Sequence, residues 1–136
     1  MVIDTSVLIA ALHSKRGASW KLLSLIGENQ FEFHISVPLV LEYEDVLLRQ
    51  REELGLSLND VSALVDSLCA LGQHHEIFFL WRPSLPDAND ELILELAVSA
   101  RCGFIVTHNL ADFKGVDRFG IRAVTPRDFL QIISEV

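Results

Sequence analysis

Apolar residues fall along this chain in short clusters whose spacing switches between the strand and helix periods. Val2 and Ile3 make a brief apolar run that stops at Asp4 and predicts a buried strand. Ser6 to Leu12 then resumes as a helix, with Thr5 and Ser6 placed to cap it. "GASWKLLSLIGE" carries Trp20, Leu22, Leu23, Leu25 and Ile26 in a helical pattern closed by Gly27, whereas "FEFHIS" alternates Phe31, Phe33 and Ile35 in the strand period.

Ser36 as N-cap and Pro38 in the first turn open a long helix through "LVLEYEDVLLRQREEL" to Gly55. Ser57, with Asp60 three residues on, starts a second, "VSALVDSLCALG". "EIFFLW" is a continuous apolar run of strand length, interrupted by Pro83 and Pro86, and Asp87 can cap the helix "ANDELILELAVSARCG", closed by Gly103. "FIVTH" predicts another strand, "NLADFKGVDRFG" a turn-rich loop, "IRAV" a final strand, and Thr125 with Pro126 the start of the last helix. Strands alternating with helices argue for an α/β fold with a parallel sheet covered on both faces. At 136 residues the chain reads as one domain, 1–136.

Composition adds constraints rather than chemistry. Met1 leads directly into a strand-like segment with no basic signal-peptide region, and no apolar stretch is long enough to span a bilayer. Cys69 and Cys102 lie in separate apolar helical patterns without CxxC spacing, which predicts two buried free thiols and a reducing, cytoplasmic setting. The formal net charge of −8, from 19 acidic and 11 basic residues, opposes non-specific attraction to nucleic acid or anionic membranes. Bound divalent cations or a local gathering of basic residues would offset it.

In a parallel α/β sheet, functional groups collect where strands end and loops leave. Asp4 stands at such an end, as do Thr107, His108 and Asn109, with Asp112 in the same loop. Asp87, Asp90 and Glu91 open the helix after "EIFFLW", and Glu42 lies about one turn into the helix after "FEFHIS". Each acid also has an ordinary explanation. The helix dipole favours Asp87, Asp90 and Glu91 in a first turn, Glu42 fits a solvated helix face beside Glu44 and Asp45, and Asp112 fits an Asx-turn. Asp4 is harder to explain that way, because an acid between two apolar runs is costly to bury without a partner. Acids converging from four segments suit a hard cation such as Mg²⁺ or Mn²⁺, which takes oxygen ligands.

These same segments resemble the PIN-domain nucleases over almost the whole chain. "VIDTSVLIAAL" is similar to their opening strand, Asp-Thr-Asn/Ser and helix; "VPLVLEYEDVL" to the segment with their second acid; "NDELILELAVSARCGFIVTHNLADF" to their third-acid helix and fourth-site loop. "GIRAVTPRDFL" resembles the ending of bacterial PIN proteins related to VapC-type toxins. The resemblance implies a three-layer α/β/α sandwich around a mostly parallel sheet of about five strands. It implies metal ligation and catalysis by Asp4, Glu42, Asp90 and Asp112, with Asn109 in place of the aspartate many relatives carry there and Asp112 supplying the fourth carboxylate. Thr5 and Ser6 would support Asp4 or a scissile phosphate. Lys15, Arg16, Lys114 and Arg118 are candidate substrate-binding residues, with ordinary solubility charges as the other reading.

The implied activity is hydrolysis of RNA with one or two Mg²⁺ or Mn²⁺, leaving a 5′-phosphate and a 3′-hydroxyl. The implied partners are a small antitoxin protein and further copies of the chain, as a homodimer or higher homo-oligomer. A haloacid-dehalogenase-like phosphatase would need an aspartate where Ser6 stands, and a receiver domain would need an early acid pair where only Asp4 occurs. The remaining alternative is a catalytically weak or inactive PIN-fold module that binds RNA or protein.

Overall fold

The computed structural model describes residues 1–77 and 85–134. Strand β1 (Val2–Ile3) leads into helix α1 (Thr5–His13), then α2 (Ala18–Ser24), β2 (His34–Ile35), α3 (Val37–Leu54), α4 (Leu58–Leu71) and β3 (Gln73–His74). The second half runs α5 (Ala88–Ser99), β4 (Phe104–Val106), two 3₁₀ turns (Leu110–Phe113 and Val116–Phe119), β5 (Arg122–Val124) and α6 (Pro126–Ser134).

Local chemistry sets most of these boundaries. The Ser36 hydroxyl accepts from Leu39 N, with Pro38 in the first turn, and α3 ends where Gly55 takes a left-handed φ of 71°. Ser57 and Asp60 form a reciprocal capping box on α4, each side chain accepting from the other's backbone N–H. Asp87 caps α5 by accepting from Asn89 N and Asp90 N. At the far end, α5 stops at Ser99, and Arg101, not Gly103, takes the left-handed position with φ 56°. Cys102 therefore lies beyond the helix expected to contain it, its N–H donating to Ala97 O. Both cysteines are free, but only Cys102 is buried; Cys69 is half-buried.

Strands β1, β4 and β5 form a parallel sheet with β4 in the centre, Ile3 opposite Val106 and Val106 opposite Val124. Helix α5 packs against β1 and β4, α1 against α2 and α3, α3 against α4, and α2 against α6. This is the expected α/β/α arrangement, but among the described residues the sheet has three strands and not five. The parallel pair β2–β3 stands as a separate two-stranded sheet. Met1, just before β1, is tied to this segment by two backbone bonds, His34 N to Met1 O at 3.0 Å and the Met1 amino group to Glu32 O at 2.5 Å, but among the described residues the ladder is not carried on to Val2 and Ile3.

Two expectations shift in detail. "FEFHIS" is extended only at His34–Ile35, and the strand that pairs with it is Gln73–His74, just before "EIFFLW". Most of that apolar run lies outside the described residues. The core is continuous, with Ile3, Leu8, Leu22, Leu39, Leu47, Leu94, Leu96 and Ile105 among its fully buried side chains. Among the described residues no helix is long and apolar enough to cross a membrane.

Candidate functional site

Because β1, β4 and β5 are parallel, their carboxyl ends share one edge of the sheet. Asp4 N donates to Val106 O at 2.9 Å and Thr107 N to Val124 O at 2.9 Å, which sets Asp4 and Thr107 side by side as the first residues beyond their strands. Asp4 is only 4% exposed and Thr107 is fully buried.

The Asp4 carboxylate is held asymmetrically. Its Oδ2 accepts from Thr107 Oγ1 at 2.6 Å and from Ser6 Oγ at 2.8 Å. Each of those hydroxyls has one proton to give, and each accepts a backbone N–H in return: His108 N to Ser6 Oγ at 3.1 Å, and Asn109 N to Thr107 Oγ1 at 2.9 Å. The chain of donors thus has one direction and ends on Asp4. Among the described residues Oδ1 has only Thr5 Oγ1 at 3.5 Å, the far limit of a hydrogen bond, and keeps acceptor capacity to spare. From below, the buried Tyr43 hydroxyl donates to Ile3 O and ties α3 to the strand that delivers Asp4.

Three further carboxylates come from other segments. Asp90, half-buried in the first turn of α5, has its pKa pushed up to about 7, first by burial and then by Asp4, Asp87 and Asp112 around it. Asp87, Asp90, Asp112 and Lys114 line a cleft of about 340 Å³ together with Leu85, Pro86 and Ala111. Glu42 stands at the edge of this group. Burial raises its pKa, with Asp45 and Asp87 adding to the effect and Arg49 opposing it. Arg49 Nη2 lies 3.9 Å from Glu42 and 2.9 Å from Asp45, so this cation is spent within α3.

The structure therefore brings Asp4, Asp90 and Asp112 into one electrostatic neighbourhood and links Glu42 to it through Asp87. Among the described residues no three His, Cys, Asp or Glu side chains are gathered closely enough to hold an ion, so the group is not a closed cage. Its donors nevertheless suit a hard divalent cation. All are carboxylate oxygens, and the raised Asp90 pKa shows negative charge short of compensation, which such an ion relieves.

Of the basic candidates, Lys114 lines the acid cleft. Lys15 lies 5.3 Å over the Trp20 ring, Arg118 lies 5.0 Å over Phe119, and these two and Arg16 line neither this cleft nor the one described next. That second cleft, about 450 Å³, opens between α1 and α3 and shares Thr5 and Ser6 with the Asp4 network. Glu91, next to Asp90, is buried and accepts from Leu85 N, so it braces the loop before α5.

Two contributors do more than their places in the sequence indicated. Thr107 makes the shortest bond to Asp4, and its only signal was its place right after "FIV" at a strand end. Asp87 reads as a cap, and it is one, yet it also borders the cleft and couples to both Glu42 and Asp90.

Comparison with known protein families matches residues 1–111 to a PIN domain. The matched span takes in Asp4, Glu42, Asp90 and Asn109 and stops one residue before Asp112. A comparison with curated proteins finds no match. A match over most of the chain, on an α/β/α fold with a parallel sheet, shows that this chain belongs to the PIN-domain family, whose fold is typically that of metal-dependent nucleases.

Proposed function

We propose that this chain is a divalent-metal-dependent endoribonuclease and the toxin of a toxin–antitoxin pair. One observation carries the reading: a buried aspartate, Asp4, fixed by two hydroxyls at the sheet edge, with Asp4 and Asp112 both close enough to raise the pKa of Asp90. Asp4, Glu42, Asp90 and Asp112 would hold one or two Mg²⁺ or Mn²⁺. When bound, such an ion neutralises charge on a phosphoryl group and lowers the pKa of an attacking water.

The chain's own residues prepare for this. Ser6 and Thr107 occupy Oδ2 of Asp4 and so leave Oδ1 as the ligating oxygen. Asp90, with a pKa of about 7, holds or releases a proton near neutrality, so a cation and a proton compete for it. Lys114 at the rim suits a substrate phosphate. Water attacks phosphorus in line, the bond to the 3′ oxygen breaks, and that oxygen takes a proton, leaving a 5′-phosphate and a 3′-hydroxyl.

An acidic cleft with a single lysine suits a cationic inhibitory segment on a small antitoxin. Self-association draws support from Val37, Leu41 and Leu48, exposed along α3. The second reading, a weak or inactive PIN-fold binding module, draws on Asn109 at the fourth site and the net charge of −8. Calorimetric titration with Mn²⁺ and cleavage of a broad RNA pool separate the two. Saturable binding and cleavage, both lost in Asp4→Asn, support the nuclease; neither appearing in the parent protein supports the module. Growth arrest on expression, relieved by a co-expressed neighbouring gene product, tests the toxin role.

A further inference from the structure

The cleft between α1 and α3 differs in kind from the acid cleft beside it. No carboxylate, lysine or arginine lines it; its wall is Ile9, Ala10 and Val46, and its polar groups are His13, Gln50, His108 and Asn109 together with the hydroxyls of Thr5 and Ser6. At about 450 Å³ it falls within the range of small-ligand sites. It is continuous with the reaction centre. Ser6 lies in its lining and also bonds Asp4, and Asn109 lies in its lining and accepts, through its carbonyl, the N–H of Asp112.

Two of its polar groups, His108 and Gln50, keep hydrogen-bonding capacity. His108 is fixed twice, by its backbone N–H on Ser6 Oγ and by a 2.7 Å bond from ring Nε2 to the buried Ser19 hydroxyl on α2. That leaves Nδ1 and the ring face. The half-buried Gln50 amide, with two donors and an acceptor, has no side-chain partner among the described residues.

We infer that this cleft receives a nucleobase of the substrate next to the scissile phosphate, with Gln50 hydrogen-bonding the base edge and the His13 and His108 rings offering stacking faces. The inference rests on the nuclease reading for the identity of the substrate. A half-apolar cleft that, among the described residues, no carboxylate, lysine or arginine lines repels neither a base nor a ribose, so it suits the base of a nucleotide whose phosphate goes to the metal-binding acids. Single-stranded RNA is read this way, by stacking on aromatic or histidine rings and by hydrogen bonds to an unpaired base edge.

The test uses the full chain, metal-free and labelled with ¹⁵N, titrated with the four neutral ribonucleosides while the Gln50 side-chain amide and the His13 and His108 ring signals are followed by NMR. Ribose alone is the control. Expected are saturable shifts of the Gln50 amide and a histidine ring with at least one nucleoside, none with ribose, and binding weakened about fivefold in Gln50→Ala, corresponding to the loss of about one hydrogen bond. Unchanged core signals show that the variant folds. The inference is overturned if no nucleoside moves these signals or if ribose moves them equally. Mn²⁺-supported cleavage of an RNA pool is scored separately. Cleavage without nucleoside binding sinks the base site and leaves the nuclease standing; nucleoside binding without cleavage in the parent protein does the reverse.

Discussion

Two clefts meet at the carboxyl edge of the sheet, and nearly everything about them except location differs. The one between α5 and the first 3₁₀ turn is lined by Asp87, Asp90 and Asp112 with Lys114; among the described residues no carboxylate, lysine or arginine lines the one between α1 and α3. The Asp4 network borders the second through Thr5 and Ser6 and lies within electrostatic reach of Asp90 in the first. Ser6 and Thr107 face the same carboxylate oxygen and receive backbone N–H groups from the segment that runs on to Asp112. The difference teaches that one sheet edge can carry an acidic cleft and a largely apolar one side by side, brought together by hydrogen bonds and not by closeness along the chain.

The strongest way to break the comparison is to alter Asp4 itself. Asp4→Asn should reduce Mn²⁺-supported RNA cleavage by more than about 100-fold, since altering a mere supporting group of a metal site already costs 10–100-fold in affinity. Circular dichroism should show the fold retained. An equal rate in the variant would remove Asp4 from the site. Thr107→Val keeps the shape but deletes the 2.6 Å bond to Asp4, so Mn²⁺ affinity should fall about 10–100-fold by calorimetry. The same change should cost about 1–3 kcal/mol in chemical denaturation, because Asn109 N and Oδ2 of Asp4 both lose a partner in a buried place.

Cation and proton should act on the acid cleft alone. Free Mn²⁺ at 100 times its Kd should raise unfolding stability by about 2.7 kcal/mol, and Asp4→Asn should abolish the gain. Without metal, pH gives the complementary result. Folded Asp90 has a pKa of about 7 against an ordinary 3.8, so between those values the folded protein binds a proton that the unfolded chain has released. This contribution to stability is fully present below about pH 4, is lost as pH rises toward 7, and levels off above it. Asp90→Asn should flatten the slope across that window, and an unchanged slope would show that Asp90 is not the group responsible. The smallest effect belongs to the neutral cleft. Ser19→Ala frees the His108 ring and should weaken nucleoside binding roughly fivefold or less, while Mn²⁺ affinity stays the same.

The elements most legible in sequence were those with local signals. Ser36 with Pro38, the Ser57–Asp60 box, Asp87 and Thr125 with Pro126 each mark a helix start that the structure contains, because capping is settled within a few residues. Sheet membership was less legible. "FEFHIS" has the right period, but whether His34–Ile35 joins β1 or pairs only with Gln73–His74 depends on backbone bonds across about 30 to 40 residues. The end of α5 was misplaced for a related reason: Gly103 looked like the natural stop, while Arg101 adopts the left-handed turn.

Asp4 stood out because an aspartate between apolar runs needs an explanation, and Asp90 because its motif resembled that of a known family. Thr107 did not stand out, since a threonine ending a β-branched run is unremarkable until its hydroxyl is found against Asp4. The Ser19–His108 bond joins residues 89 apart and had no sequence signal at all.

Period, capping residues and the order of apolar runs determine that this chain alternates strands and helices, and that strand ends carry acids. These properties depend on neighbours a few residues away, and so they are written locally. Which acids become neighbours, which oxygen of Asp4 stays available, and the contrast between a charged and a neutral cleft were decided only when β1, β4 and β5 aligned in parallel. That alignment sets Asp4 against Thr107 from the other end of the chain, and electrostatics and hydrogen bonding act over ångströms of space, whatever the separation in sequence.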